Sequence, residues 1–488
     1  MNTPIRTRFA PSPTGYLHVG GIRTALFAYL LARQNKGQFV LRFEDTDKKR
    51  EVVGSAEHLI ASLRAIGIDY DEGPDIGGPY APYIQSQRLD SYRQWAQKLI
   101  DKGLAYADPY TPEQVQQFRE QAQAAKKAFL YRNHRPKQPP AWDGTQPLRF
   151  KSTPQSYTYH DAVMGETTTS SEVIDDIILI KSDGYPTYNF AHIIDDTEMH
   201  ITHIIRGQEF LSSMPNYLAL YEALELTPPV FAHMPHIMNE QGNKKLGKRD
   251  GAKDVLDYIR DGYLPEALMS FIATMGWNDG TTQETYTKAE LIKRFSLEKI
   301  QRSGARFDEK RLLWMNGQFI RELPLDELYT RVSGDGQSVG HENFWPEAAA
   351  GADETYKKQV LALAQDRLKT LADLGGFGYF FTIPSKDLSL ITDNKQLKKL
   401  KPSEIAQLVQ ASHDKLAALT EWTPETIQAA LNELLEQTGQ KPGILFSLIR
   451  IYATWAPFSP QLNNTLALLG QAQTLERLGA SSPLITSL

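Results

Sequence analysis

Residues 8–33 read RFAPSPTGYLHVGGIRTALFAYLLAR, and the fold is decided there. A short apolar run over 5–9 meets Pro11, Pro13 and Gly15, which end a strand. His18-Val19-Gly20-Gly21 then opens a helix whose apolar positions Ile22, Ala25, Leu26, Tyr29 and Leu30 fall at i, i+3, i+4, i+7 and i+8. A strand, a glycine-bearing turn and a helix N-terminus together make an anion site, because free backbone N–H groups and the helix dipole point at its occupant. The paired glycines lack Cβ, so a nucleotide can lie against the backbone. His18 offers an imidazole to a phosphate oxygen, and Thr14 brings a hydroxyl nearby. The alternative is a tight strand-to-helix turn with a surface histidine; the phosphate cradle is the favoured reading.

The rhythm continues outward. Residues 38–43 read as a strand ending in Glu44-Asp45-Thr46-Asp47, and 55–66 as a helix with Leu59, Ile60, Leu63 and Ile66 on one face. This βαβα order predicts an α/β fold, a doubly wound, Rossmann-like parallel sheet with its site at the carboxyl ends of the strands. A Gly/Pro-rich stretch over 70–83 leads to a long helix from Ser86. Proline-punctuated segments over 105–182 read as an insertion, and the strand–helix rhythm returns at 177–180 and 188–206. Helical patterns dominate from Asp254; 333–352 reads as a loop or linker, and the chain is helical again from Tyr356 to Leu478. The expected organisation is a catalytic domain over 1–105 and 183–243, an inserted domain over 106–182, a region over 244–320, and helical subdomains over 321–376 and 377–488.

Composition bounds the function. At 488 residues the chain is long enough for several domains, and 41% hydrophobic with 23% charged residues is ordinary for a globular protein. The sequence has 0 cysteines, which excludes disulfides and thiolate metal sites. No apolar run approaches a membrane span and the N-terminus has no signal-like segment, so a cytoplasmic protein without membrane contact is expected. A net charge of -5 does not advertise nucleic-acid binding, which would need local basic faces.

Two further clusters carry chemistry. Glu44, Asp45 and Asp47 stand at the mouth of the expected site, where carboxylates can bind a metal, hold an ammonium group or cap the following turn. Lys244-Lys245-Leu246-Gly247-Lys248-Arg249 is either a solvated loop or a cationic partner for phosphates. Lys126, Lys127, Arg132, Arg135 and Lys137 form a basic cluster, either a solvated face or a contact for nucleic-acid phosphates.

The run over 8–33 resembles the HIGH motif of class I aminoacyl-tRNA synthetases, in the R-x-APSPTG-x-x-H-[IV]-GG form of the bacterial glutamyl-tRNA synthetases. Residues 42–47 resemble that family's R-[IF]-EDTD segment. The stretch from Gly184-Tyr185-Pro186-Thr187-Tyr188 through Asp195-Asp196 to Ile205-Arg206-Gly207 resembles its G-x-PTY…VDD…IRG block. Residues 244–249 are similar to its KLSKR motif, with Gly247 where serine is usual. Residues 307–318 and 450–478 match its stem-contact and helical anticodon-binding parts, so the likeness spans nearly the whole chain.

The resemblance implies a glutamate–tRNA ligase with an acceptor-stem-binding insertion and an all-helical C-terminal anticodon-binding half. By it, His18, Lys245 and Lys248 serve the phosphates, and Thr14, Gly20, Gly21 and Glu209 complete the ATP site. Arg8, Ser12, Glu44, Tyr188 and Arg206 hold glutamate, with Glu44 on the α-amino group and the two arginines clamping the side-chain carboxylate. His192 stands where relatives differ and takes no firm role. Arg367 is placed to read an anticodon base or, alternatively, to meet a phosphate or solvent. The implied partners are tRNA(Glu), L-glutamate and ATP with Mg²⁺, and a monomer is expected. Many relatives carry a Cys-x-Cys…Cys zinc site in the insertion; here that region reads Ala105-Tyr106-Ala107-Asp108-Pro109-Tyr110, so no zinc is expected. A form that also charges tRNA(Gln), and a HIGH-type nucleotidylyltransferase acting without RNA, stay open as alternatives.

Overall fold

Helix α1 (Val19–Gln34) packs against strands β1 (Arg6–Phe9) and β2 (Gln38–Leu41) in this computed structural model, which describes residues 4–247, 253–336 and 339–479. The apolar spacing understates how deeply α1 is buried. Phe27, Ala28, Leu31 and Ala32 are buried along with the expected stripe, because α1 also meets helices Pro265–Ala273 and Lys288–Arg294. A helix covered on both sides has no solvent face to keep polar. The second helix, α2 (Ser55–Ala65), and the long α3 (Leu89–Asp101) follow as expected.

Contacts divide the chain into two units: residues 1–257 with 265–309, and 258–264 with 310–488. In the first unit β3 (Ala105–Ala107), helix α4 (Pro112–Ala124), β4 (Leu148–Phe150), β5 (Thr158–Asp161), β6 (Gly165–Thr168) and β7 (Ile178–Ile180) come next along the chain. They are followed by α5 (Tyr188–Glu198), β8 (His203–Gly207), α6 (Met214–Ala223) and β9 (Val230–Met234). The main sheet runs β2-β1-β8-β9-β5-β6, with only the last pair antiparallel. Non-consecutive strands lie side by side and helices connect them, which is the doubly wound arrangement.

Two departures from the sequence expectation concern 105–182. The β5–β6 hairpin is not confined to an insertion but extends the main sheet, Asp161 standing opposite Phe231. Strand β7, read as the return of the parallel rhythm, joins β3 and β4 in a separate antiparallel sheet. An apolar run announces a strand, but its pairing partner is a long-range choice that local pattern does not carry.

That small sheet is stapled by ion pairs. Asp108 accepts from Arg149 Nε at 2.6 Å and from the Tyr131 hydroxyl, while the Arg149 guanidinium lies 3.4 Å from the Tyr131 ring centre. Asp176 accepts from Arg135 Nε at 2.6 Å, Tyr106 Oη at 2.7 Å and Ser152 Oγ at 2.8 Å. Arg132 donates to the backbone carbonyls of Ser171, Ile174 and Glu172. Arg132 and Arg135 are therefore internal cross-links, and only Lys126, Lys127 and Lys137 of the basic cluster stay exposed.

The second unit is built from helices Leu325–Val332, Glu354–Ala364, Pro402–Ala417, Pro424–Thr438, Pro442–Thr454, Leu462–Leu469 and Gln471–Gly479. The segment read as a linker folds back on itself, with Ser333 bridged to Asn343 and Gly334 N–H donating to Glu342 O at 3.2 Å. Arg367 closes a 3₁₀ turn, Gln365–Arg367, beyond the helix in which it was expected, and is exposed. Burial pulls the neighbouring Arg450 below its ordinary range, and the charge of Arg367 pulls it further.

Removing one partner of a buried pair strands the other charge, at a cost of ~3–5 kcal/mol. Asp108→Ala is therefore expected to destabilise the protein by about that much in denaturant or thermal unfolding. Asp108→Leu combined with Arg149→Met should recover most of the loss, since the pair leaves together.

Candidate functional site

The carboxyl ends of β1, β2, β8 and β9 open onto a cavity of about 920 Å³. Its wall brings together Arg8, Ser12, His18, Gly20, Gly21, Glu44, Tyr188, Arg206, Glu209 and Lys245 from points far apart in sequence. Thr14 is not part of the lining; its backbone N–H donates to Ser12 O at 2.8 Å and turns the strand toward the helix. Lys248 lies outside the described residues.

At one end of the cavity, His18 is the N-cap of α1, its Nδ1 accepting from Gly20 N at 3.1 Å. A Cβ on Gly20 would come within 3.1 Å of the His18 ring, so glycine keeps the cap closed. Across from it, β10 (Ile237–Met238) folds back as a hairpin: Met238 bridges Lys245, Leu246 N–H donates to Ile237 O at 2.8 Å, and Asn239 Oδ1 caps the turn through Asn243 N at 3.1 Å. Lys245 Nζ stands 3.4 Å from Glu209 Oε1, and His236 Nδ1 3.6 Å from Glu209 Oε2. Asp254 stands 3.0 Å from His58 Nε2 and is bridged through its backbone to His18.

The other end is a charge network. Arg42, wholly buried, donates to Asp196 Oδ1 at 2.8 Å and to Glu44 Oε1 at 3.0 Å, with Asp195 Oδ2 at 3.6 Å. Arg8 gives Nε and Nη2 to the same Asp196 at 3.0 and 3.3 Å. Burial alone would raise the Asp196 carboxyl, but Arg8 and Arg42 outweigh it and hold it well below the usual range. At Glu44 burial wins over Arg42 and Arg8 and pushes the carboxyl up to about 7. The arm expected from Arg8 in a two-arginine clamp is thus already committed to Asp196.

Arg206 differs. It is 4% exposed, and among the described residues no carboxylate touches its guanidinium. Its contacts are neutral: Nε donates to His233 Nε2 at 3.0 Å, Nη1 faces His192 Nε2 at 3.4 Å, and Nη2 faces Met214 Sδ at 3.1 Å. Rings of Phe210, Tyr217 and Phe231 surround it at 4.9, 5.0 and 5.6 Å. Tyr188 stacks on His192 and Phe210 at the rim. A buried cation without a counter-charge is costly, so this end of the cavity is made for an anionic group. Sequence reasoning missed Arg42, Asp161 and His233. Arg42 was findable, lying two residues before Glu44 and hence on the same strand face; His233 and Asp161 come into play only through sheet register.

Residues 4–314 match the family of class I tRNA synthetases (E and Q), catalytic domain, and residues 340–481 match an anticodon binding domain. The chain is 40% identical to a glutamate–tRNA ligase of Roseiflexus castenholzii, over 98% of this chain and 96% of that one. It is 38% identical to one from Clostridium botulinum, over 98% of each. A crystal structure of a glutamate tRNA ligase from Elizabethkingia meningosepticum, in complex with its amino acid, superposes with a TM-score of 0.85 at 31% identity, over 99% of this chain and 100% of that one.

Arg42→Met leaves Glu44, Asp195 and Asp196 buried without their shared cation. Asp196 and Asp195 keep Arg8 and Arg88, but Glu44 loses its one direct cation and titrates higher still in the folded than in the unfolded protein, so the penalty is present at high pH and relieved as pH falls. The expected result is a loss of unfolding free energy clearly larger at pH 8 than at pH 5, of about 3–5 kcal/mol at the upper end. Equal losses at both pH values would contradict the network as described.

Proposed function

The chain belongs to the class I tRNA synthetases of the E and Q type, and on that premise we propose that it is a glutamate–tRNA ligase. The observation that carries the choice of amino acid is Arg206, buried, ringed by aromatic faces and in contact with neutral groups alone. A guanidinium so placed takes the γ-carboxylate of glutamate; the amide of glutamine would leave its charge unanswered, and aspartate would fall short. Glu44 receives the α-ammonium, with Ser12 and Tyr188 completing the amino-acid side and Arg8 supporting it through Asp196.

In this reading the α-carboxylate of glutamate attacks the α-phosphorus of ATP, the α–β phosphoanhydride bond breaks, and pyrophosphate leaves glutamyl-adenylate behind. The terminal ribose hydroxyl of tRNA(Glu) then attacks the acyl carbon, and AMP departs with the bonding electron pair. No protein nucleophile is needed, so rate comes from positioning and from charge placed where charge develops. His18 and the N–H groups of the Gly20–Gly21 turn hold the phosphates, Glu209 and Thr14 belong to the ATP side, and Lys245 with Lys248 neutralises the departing pyrophosphate. Mg²⁺ bound with the nucleotide would supply charge shielding for its phosphates; among the described residues no group of three His, Cys, Asp or Glu is arranged to hold a metal ion. With no cysteine in the chain, the insertion is read as zinc-free, the Asp108 and Asp176 ion pairs standing in its place. Exposed Arg367, beside Arg450, is assigned to the anticodon. Among the described residues no helix is long and apolar enough to cross a membrane; the cytoplasm and a monomer complete the reading. The helical second unit weighs against a nucleotidylyltransferase that works without RNA.

Aminoacylation with glutamate and with glutamine, on separately purified tRNA(Glu) and tRNA(Gln), tests the reading. Glutamate on tRNA(Glu) is expected; charging of tRNA(Gln) as well would mark the relaxed form, and turnover independent of RNA would remove the proposal.

Because only an ionised carboxylate accepts an ammonium, the titration of Glu44 near about 7 sets a pH dependence. KM for glutamate should be flat above that pH and rise as pH falls below it, by up to ~10-fold per unit. Glu44→Gln should give a high KM with no such inflection.

A further inference from the structure

Arg206 on β8 and His233 on β9 are register partners in parallel strands, so both side chains leave the same face of the sheet side by side. His233 Nε2 receives Arg206 Nε at 3.0 Å, and His233 Nδ1 lies 2.6 Å from Asp161 Oδ2. Asp161 ends β5, the strand on the far side of β9. Its Oδ1 accepts the backbone N–H groups of Val163 and Met164 at 3.0 and 2.9 Å. Burial would raise this carboxyl, but the His233 and backbone hydrogen bonds outweigh it and keep it ionised. An ionised carboxylate only accepts, so His233 Nδ1 carries the ring proton and Nε2 presents its lone pair to Arg206. Three neighbouring strands thus align a carboxylate, an imidazole and a guanidinium, all buried.

His192 repeats the arrangement from α5. Its Nδ1 donates to the Tyr188 carbonyl at 2.8 Å, which leaves Nε2 to face Arg206 Nη1 at 3.4 Å. Burial lowers both rings, His192 to about 3, so both are neutral acceptors at physiological pH.

Arg8 and Arg42 show what the alternative does. A carboxylate in direct contact fixes an arginine and also consumes its charge. An imidazole fixes Nε by a hydrogen bond and leaves the charge whole, while a carboxylate one ring further away eases the burial of that charge at longer range. We propose that His233, set by Asp161, is a positioning residue for specificity: it aims Arg206 and leaves its charge for the γ-carboxylate of the substrate. This rests on the reading of glutamate as substrate with Arg206 as its side-chain partner.

The test compares His233→Ala, His233→Gln, Asp161→Asn and Arg206→Ala with the unaltered full-length enzyme in tRNA(Glu) charging, reading KM for glutamate, ATP and tRNA, kcat, and inhibition by glutamine. His233→Ala is expected to raise the glutamate KM about 10- to 100-fold with kcat nearly kept, and to erode glutamate-over-glutamine preference about tenfold. KM for ATP and tRNA should stay put. His233→Gln, whose amide oxygen also accepts from a guanidinium, should regain most of the loss, and Asp161→Asn should fall between. An unchanged glutamate KM in His233→Ala, or a parallel rise in all three KM values, overturns the proposal. Should the alanine variant not fold, a normal glutamate KM in Asp161→Asn overturns it equally. Arg206→Ala separates the two levels. An unchanged glutamate KM there removes the reading of the pocket, whereas a raised one beside a normal His233→Ala removes only the positioning role.

Discussion

The wholly buried guanidinium of Arg42 is the interaction on which the amino-acid end of the cavity depends. It lies just past strand β2 and meets Glu44, two residues further on, and Asp195 and Asp196 from α5. Asp196 in turn receives Arg8 from β1, and Asp195 receives Arg88 at the start of α3. Two strands and two helices are thereby tied through one cation. Each of those charges would be prohibitive alone in the interior, and none can leave without stranding the others. The network is therefore an all-or-none device, which suits a site that has to present a rigid wall.

Rigidity at that wall makes the treatment of Arg206 intelligible. Buried arginines of two kinds stand at this end of the cavity. Arg8 and Arg42 are neutralised by direct carboxylates and act as structure. Arg206 is oriented by imidazoles and aromatic rings that leave its charge unanswered. Neutral acceptors and ring faces recover part of the solvation lost on burial, but less than a carboxylate would. The balance is a standing electrostatic demand inside the folded protein, and a carboxylate ligand meets it. In the proposed reading, selectivity follows from what the protein withholds at Arg206 as much as from what it supplies.

Legibility in the sequence followed the range of the interactions. The β1–α1 turn, the helix of residues 55–66 and the late helical half were readable because caps, periodicity and glycine placement are local. The place of His18, Glu44 and Lys245 on the cavity wall was readable because each stands in a motif only a few residues long. What escaped is long-range. The commitment of Arg8 to Asp196 spans 188 positions, and the Asp161–His233 contact spans 72. Neither leaves a periodic trace, since each depends on which strands become neighbours. Arg132 and Arg135 misled for the same reason: a basic cluster looks alike in sequence whether its heads face RNA or the carbonyls and carboxylate of its own fold.

By the same register, residues 106–182 are not confined to a sheet of their own. Strands β3, β4 and β7 form a sheet of their own, but β5 pairs with β9 and ends on the carboxylate that sets His233. Excising the whole stretch would remove an edge of the main sheet and the far end of the line reaching Arg206. A strand lost from beside β9 exposes its ladder to solvent or to another chain, and His233 would then be free to take either tautomer. With Nδ1 unprotonated and Nε2 carrying the proton, the ring would turn a donor toward a guanidinium that is itself only a donor. Arg206 would have to swing away, and the orientation of the cation would be lost although every residue contacting it remained in place.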